Sequence, residues 1–351
     1  MKLSEINFRD PFFLTDTHTG RYWLYGTEGV TAWEGKPTGL SAYSSPDLVD
    51  WDGPLTVFQP PSDFWADRHF WAPEVHYWNG QYVMLVSFKA EGCSRATSLL
   101  AADSPEGPFH VVEDSLTPRD WECLDGTLYI EGGNPWLVFC REWLEVGDGQ
   151  MWAQPLSQKL CPIAEPILLF RASSAPWSTP VGPEGDARVT DGPWLHRLPA
   201  GGLRLLWSTH GVGGYSLGMA RSETGLLAGP WVQDPEPLFR TDGGHGMLFR
   251  TFDKQLLLAL HQPNTQPNER PTLWTIREST ETIAIVGAYR LPGLIKAVPL
   301  SDVRITGGFW RSRIDSMTQN VIPYQWKALN NEIPDAEPSN AIENFRIAQP
   351  T

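Results

Sequence analysis

The chain is short of positive charge, with 27 Lys and Arg against 41 Asp and Glu and a net charge of -14 over 351 residues. Nucleic acids and anionic membranes need a basic face, so that balance excludes both as partners. Cysteine is scarce as well. Cys93, Cys123, Cys140 and Cys161 have neither metal-ligand spacing nor the density of a disulfide scaffold, and they read as buried thiols. No apolar run is long enough to span a bilayer, and residues 1–10 hold no apolar leader core. The default expectation is a cytoplasmic protein, with secretion possible if a leader has been removed. Low-complexity segments are missing too. A neutral polar ligand is compatible with all of these absences.

Aromatic residues are plentiful. The chain holds 17 Trp and is 41% hydrophobic, which is ample for a core. The stretch at residues 71–88 organises the rest: Trp71-Ala72-Pro73-Glu74-Val75 leads through Asn79-Gly80, the strongest short hairpin signal, into Tyr82-Val83-Met84-Leu85. Because Pro73 cannot donate to a ladder, Glu74 is expected at the mouth of its strand. Four more copies of this plan start at Asp10, Asp125, Asp191 and Gly244-His245. The leading polar residues Asp10, Glu74, Asp125, Asp191 and His245 are separated by 64, 51, 66 and 54 positions. A second element recurs three times between the hairpins, around Tyr43, Ala101 and Ala220, each followed by a turn and a further apolar segment. Four short strands at a period of about 50 residues are the signature of a β-propeller. The expected fold is all-β, a five-bladed β-propeller over residues 1–293, with a C-terminal extension over residues 294–351.

In a propeller the inner strands start near the axis, so the five leading residues should converge there. Two carboxyl groups at one pocket mouth are the minimum for glycoside hydrolysis, one giving a proton to the leaving oxygen and the other activating water. Asp10 is the first candidate base. The loop at residues 59–70 is rich in aromatic and charged groups and runs straight into the Glu74 motif, so it is expected to line a pocket wall.

Arg9-Asp10-Pro11, Trp71-Ala72-Pro73-Glu74-Val75, Asp191-Gly192-Pro193 and Gly244-His245-Gly246, in this order, resemble glycoside hydrolase family 43 over residues 5–290. The resemblance implies inverting enzymes that remove arabinofuranosyl or xylosyl units from plant polysaccharides or cut arabinan. It also implies Asp10 as base, Glu74 as the acid that tunes and orients the proton donor, and the blade-four motif as the source of that donor. His245 would help hold a metal ion or water, with calcium the candidate ion and no cofactor strictly required. Two departures stand out: Glu74 where the family commonly has Asp, and Asp191 where it commonly has Glu. Asp191 is a methylene shorter, so Glu142, in Cys140-Arg141-Glu142-Trp143, is an alternative proton donor. Phe70, Trp71 and Trp143 flank these acids and are candidates to stack on a sugar, with Asp125 and His245 as further binding residues.

From Leu294 the character changes. Residues 299–310 resemble the opening of the family 127 glycoside hydrolases, β-L-arabinofuranosidases, and read as the start of a second domain, with a possible helix from Arg311 to Leu329. The likeness favours arabinose-containing oligosaccharides or polysaccharides as substrate, and the first reading is an exo-acting α-L-arabinofuranosidase. β-Xylosidase, endo-arabinanase and a non-catalytic carbohydrate-binding propeller are the alternatives.

Overall fold

The computed structural model describes residues 1–29, 32–33, 37–290 and 305–348. Its inner hairpins form where the turn chemistry demands them. Asn79 and Gly80 take φ of +48° and +89° between the paired residues Trp78 and Gln81, and Gly132 and Gly133 take +57° and +85° between Glu131 and Asn134. Two successive positive φ values match the right-handed twist of the flanking strands, which is why Asn-Gly and Gly-Gly serve here.

Five antiparallel four-stranded sheets follow one another along the chain. Blade one is β1 (Phe8–Asp16), β2 (Arg21–Glu28), β3 (Leu40–Ser45) and β4 (Asp52–Phe58); blade two is β5 (Arg68–Trp78), β6 (Gln81–Lys89), β7 (Ala96–Ala102) and β8 (His110–Glu113). Blade three is β9 (Cys123–Glu131), β10 (Asn134–Arg141), β11 (Gln150–Pro155) and β12 (Ile167–Arg171), with the one-turn helix α1 (Trp143–Val146) after β10. Blade four is β13 (Asp191–Arg197), β14 (Leu203–Gly211), β15 (Gly214–Ser222) and β16 (Trp231–Gln233), and blade five is β17 (Gly244–Arg250), β18 (Leu256–Gln262), β19 (Arg270–Glu278) and β20 (Ile283–Ala288). The expected five-bladed propeller is what the chain forms. Aromatic side chains fill the spaces between strands: Trp207 is fully buried against Phe170 and Trp177, and Trp177 lies so close to Gly218 that a Cβ there would come within 1.9 Å of its ring.

Every inner strand carries the same bulge. Two residues stand opposite one in each inner hairpin, at Asp10-Pro11, Ala72-Pro73, Asp125-Gly126, Gly192-Pro193 and His245-Gly246. The first residue of each pair has positive φ: +52° at Asp10, +48° at Ala72, +57° at Asp125, +52° at Gly192 and +50° at His245. Such a bulge turns its N–H out of its own ladder and re-aims the side chain. Here each N–H is taken up by a side chain of the preceding blade: Ala72 donates to Thr27 Oγ1 at 2.7 Å, Asp125 to Ser87 Oγ at 2.9 Å, Gly192 to Asp125 Oδ2 at 3.0 Å and His245 to Ser208 Oγ at 2.8 Å. Asp10 closes the circle by donating to His261 Nδ1 at 3.1 Å.

This register corrects one expectation. Glu74 is not at the mouth of its strand: β5 begins at Arg68 and runs through the bulge, so Glu74 pairs with Leu85 two positions beyond Ala72. The bulge leaves the Pro73 nitrogen outside the ladder, which removes the reason for starting the strand after it.

The chain separates into two compact units, residues 1–292 and 293–351. In the second, the helices α2 (Gly308–Ser316), α3 (Ile322–Leu329) and α4 (Ala341–Ile347) bury no residue among those described. Residues 294–304, where the linker and the first half of the family 127-like phrase fall, lie outside the described residues. Replacing Ser208 by Ala is expected to leave the His245 N–H without its acceptor and to cost about 1–3 kcal/mol. Urea unfolding of the two proteins measures the loss, and an unchanged midpoint would show that the interblade bond contributes nothing.

Candidate active site

The bulges place one cleft at the axis, lined by Arg9, Asp10, Trp33, Trp71, Leu124, Asp125, Asp191 and His245. Apart from Trp33, these are the first bulge residue or the one before it in successive blades. Three carboxyl groups from blades one, three and four therefore share a site with one imidazole from blade five. His245 Nδ1 stands 3.2 Å from Asp10 Oδ1 and 3.8 Å from Asp125 Oδ2, so those two oxygens are separated by no more than the sum of these distances.

The surroundings drive the three acids apart. Burial alone raises the affinity of Asp10 for a proton, but the neighbouring Arg9 and then His245 outweigh it and hold the carboxyl well below the usual range. Thr27 Oγ1 also donates to Asp10 Oδ2 at 2.8 Å. Asp191 touches no cation. Burial and then the charge of Asp125 push it up to about 7, and its oxygen accepts a hydrogen bond from the Tyr215 hydroxyl at 3.0 Å. Burial raises Asp125 as well, against the opposing pull of His245. Burial opposes charge on His245, yet Asp10 and Asp125 reverse that and raise it to about 9, so it is a cation between two anions at neutral pH. His261 behaves oppositely: burial and Arg9 lower it to about 3. As a neutral ring it accepts the Asp10 N–H through Nδ1, and its Nε2–H is left to donate to Asn264 Oδ1 at 3.1 Å.

Of the residues singled out in the sequence, Asp10, Asp125, Asp191, His245 and Trp71 come together. Glu74 does not line this cleft. It faces an adjoining axial cavity that shares Asp10 and His245 with the cleft and adds Phe12, Trp194 and Met247, and its Oε2 lies 3.1 Å from His76 Nε2. Glu142 is buried in an ion pair with Arg95, whose guanidinium lies 4.3 Å from the centroid of the Trp71 ring and whose Nη2 faces His69 Nδ1 at 3.0 Å. Glu142 thus belongs to the wall behind Trp71. Phe70 points the other way along β5, into the aromatic cluster of Phe58, Phe64 and Phe88, because successive strand residues alternate faces. Trp143 opens α1 and packs near Gly182. Calcium near His245 stays an expectation: among the described residues no three His, Cys, Asp or Glu side chains are grouped to share an ion, and His245 Nδ1 faces Asp10 and Asp125.

Sequence reasoning missed Arg9, Trp33, Tyr215 and Arg95. Arg9 lay inside a quoted motif and was legible as a charge beside Asp10. Trp33, in a connection without periodicity, carried no such signal, yet it stands edge-on to Trp71 at 4.9 Å and 4.9 Å from the Arg9 guanidinium. Trp71 Nε1 donates to the Ala32 carbonyl at 2.6 Å.

A propeller with a buried, unequally titrating acid cluster at its axis is the architecture of a glycosidase, and the comparisons agree. The model of the glycosyl hydrolases family 43 matches residues 4–280. The chain belongs to that family. It is similar to an endo-arabinase from Bacteroides thetaiotaomicron VPI-5482, with 40% identity, 80% of this chain and 97% of that one covered, and a TM-score of 0.74. The fold is shared with an alpha-L-arabinofuranosidase from Lactobacillus brevis at 17% identity, 80% and 93% coverage and a TM-score of 0.65. A curated relative, extracellular endo-alpha-(1->5)-L-arabinanase 1 of Bacillus subtilis (strain 168), is 27% identical over 136 residues, which are 35% of this chain and 41% of that protein. No helix among the described residues is long and apolar enough to cross a membrane.

Replacing Asp125 by Asn removes a negative charge beside Asp191 and is expected to lower the proton affinity of Asp191. A carboxyl-carbon NMR titration reads the shift, and a midpoint that stays near its original value would exclude Asp125 as its cause.

Proposed function

We propose that the protein hydrolyses α-L-arabinofuranosyl linkages in arabinose-containing plant polysaccharides or oligosaccharides, with inversion at carbon. The observation that carries this is the opposed titration of Asp10 and Asp191 within one cleft. At neutral pH Asp10 is ionised and able to take a proton from water, while Asp191 retains a proton to give to the leaving oxygen. Asp125 keeps that proton in place by its charge and fixes the adjacent backbone through the Gly192 N–H. Glu142 is a poorer donor, since its carboxylate is engaged by the buried guanidinium of Arg95 behind Trp71 and does not line the cleft. A carbohydrate-binding propeller without catalysis has no need of two acids held in opposite states.

Exo action is supported by Trp33, which leans across the cleft from Arg9 to Trp71 and narrows one side. Endo action is the second reading, favoured by the 40% identity to a protein named endo-arabinase. The likeness of residues 299–310 to the opening of the family 127 enzymes points to the same sugar, as the start of a second domain. The extracellular naming of the curated relative supports a polymeric substrate outside the cell.

Linear arabinan, xylan and aryl arabinofuranosides test the reading, with products separated by size. Exo action releases single arabinose units from the first sample onward; endo action gives a ladder of oligosaccharides. Asp10→Asn and Asp191→Asn are each expected to lower kcat by roughly 10²–10⁴-fold. Because Asp191 must stay protonated, turnover should fall as pH rises through about 7 and persist well into acid, where Asp10 remains ionised. Undiminished turnover by Asp10→Asn, or activity that climbs above that pH, would reject the assignment.

A further inference from the structure

Glu269 is fully buried, and neither of its carboxylate oxygens has a hydrogen-bond partner among the described residues. A buried charge is costly in that state unless a countercharge stands close by. That countercharge is Arg9, whose Nη1 lies 3.6 Å away. Arg9 is itself buried, and its three nitrogens face three different groups: Nη1 faces Glu269, Nη2 donates to Asn264 Oδ1 at 3.3 Å, and Nε stands 3.4 Å from both Asp10 oxygens. A guanidinium beside a single carboxylate prefers a short, two-pronged pair. Arg9 does not make one with Asp10, because both Nη atoms are drawn the other way.

Glu269 also lies at the junction where blade five meets blade one. Ring closure there is carried by side chains that bond main-chain carbonyls: Asn7 Nδ2 donates to the carbonyls of Pro267 at 2.8 Å and Glu269 at 3.0 Å, and Arg270 Nε donates to the Ser4 carbonyl at 3.2 Å. None of these contacts uses the Glu269 carboxylate, whose contact across the junction is with the Arg9 guanidinium beside Asp10.

We propose that Glu269 is a positioning residue for the base: by holding Nη1 of Arg9 it stops the guanidinium from closing on Asp10 and leaves the Asp10 carboxylate a free lone pair for water. The inference rests on Asp10 acting as the base in the hydrolysis proposed above. An ionised carboxylate has about four acceptor positions. Thr27 and His245 occupy two, and a two-pronged Arg9 would take the remainder.

The test is Glu269→Gln in the full chain, assayed on debranched arabinan and examined by crystallography. The expected result is a fall of about tenfold in kcat with KM within about twofold of the parent, together with an Arg9 whose Nη groups have moved onto Asp10. Glu269→Asp, which keeps the charge but draws it back by a methylene, is expected to recover most of the lost kcat; if Glu269→Gln fails to fold, the Asp variant is read against the parent, with a smaller fall in kcat and an Arg9 shifted towards Asp10. A parental kcat, a loss confined to KM or to melting temperature, or an Arg9 that stays in place overturns the proposal. A parent protein inactive on every substrate would defeat the hydrolysis reading instead, and the position of Arg9 in the variant would still decide whether Glu269 holds it.

Discussion

The structure depends on five hydrogen bonds that run from blade to blade around the axis. Each inner strand is bulged, and the bulge points an N–H at the preceding blade instead of into its own ladder. Four of the acceptors occupy one structural position, opposite the residue just before a bulge: Thr27, Ser87, Ser208 and His261. In blade three that position is Cys140, opposite Leu124. A thiol is a weak acceptor, and the N–H of Gly192 bonds Asp125 instead. Among the described residues no strand is shared between the first and last blades. The ring therefore closes through side chains, and the same contacts that close it set the positions of the acids.

Positive φ at Asp10, Ala72, Asp125 and His245 is a strained conformation for residues with a Cβ, of order 1–3 kcal/mol each. The strain buys position: a regular strand would send these side chains along the sheet, whereas the bulge turns them across the axis. Blade two spends its bulge on Ala72 and sets Trp71 before it, which makes that side of the cleft an aromatic wall, backed by Arg95 and its pair with Glu142. Blade four has Gly192 at the bulge and Asp191 before it, so its carboxyl enters from one residue earlier, next to the Tyr215 hydroxyl.

Charge is distributed as unevenly as shape. Asp10 is surrounded by Arg9, His245 and Thr27, and all three favour its ionised form. Asp191 is buried beside another acid, and both burial and that charge favour its protonated form over the opposing hydrogen bond from the Tyr215 hydroxyl. Protonated His245 stands between Asp10 and Asp125 and keeps three acids in a small volume from repelling one another apart. One cation serving two anions recurs on the other side of Asp10, where Arg9 lies between that carboxylate and Glu269.

The sequence by itself determined the architecture and most of the membership of the site. Turn pairs such as Asn79-Gly80 and Gly132-Gly133 act over a few residues, so the hairpins, their number and their spacing were legible, and with them Asp10, Asp125, Asp191 and His245. Blade three and blade five hid their outer strands, since those lack the Ser-Pro and Gly-Pro turns that marked the others. Only the tertiary structure decided the register. Aligning the repeats on their leading polar residue put Glu74 in line with Asp10, whereas the backbone puts Ala72 there, and a shift of two residues along a strand moves a side chain along the axis out of the cleft. Partners such as Tyr215, Arg95 and Glu269 come from other strands and loops. No local pattern marks them, because what makes them matter is burial and the charge of a neighbour far away in the chain.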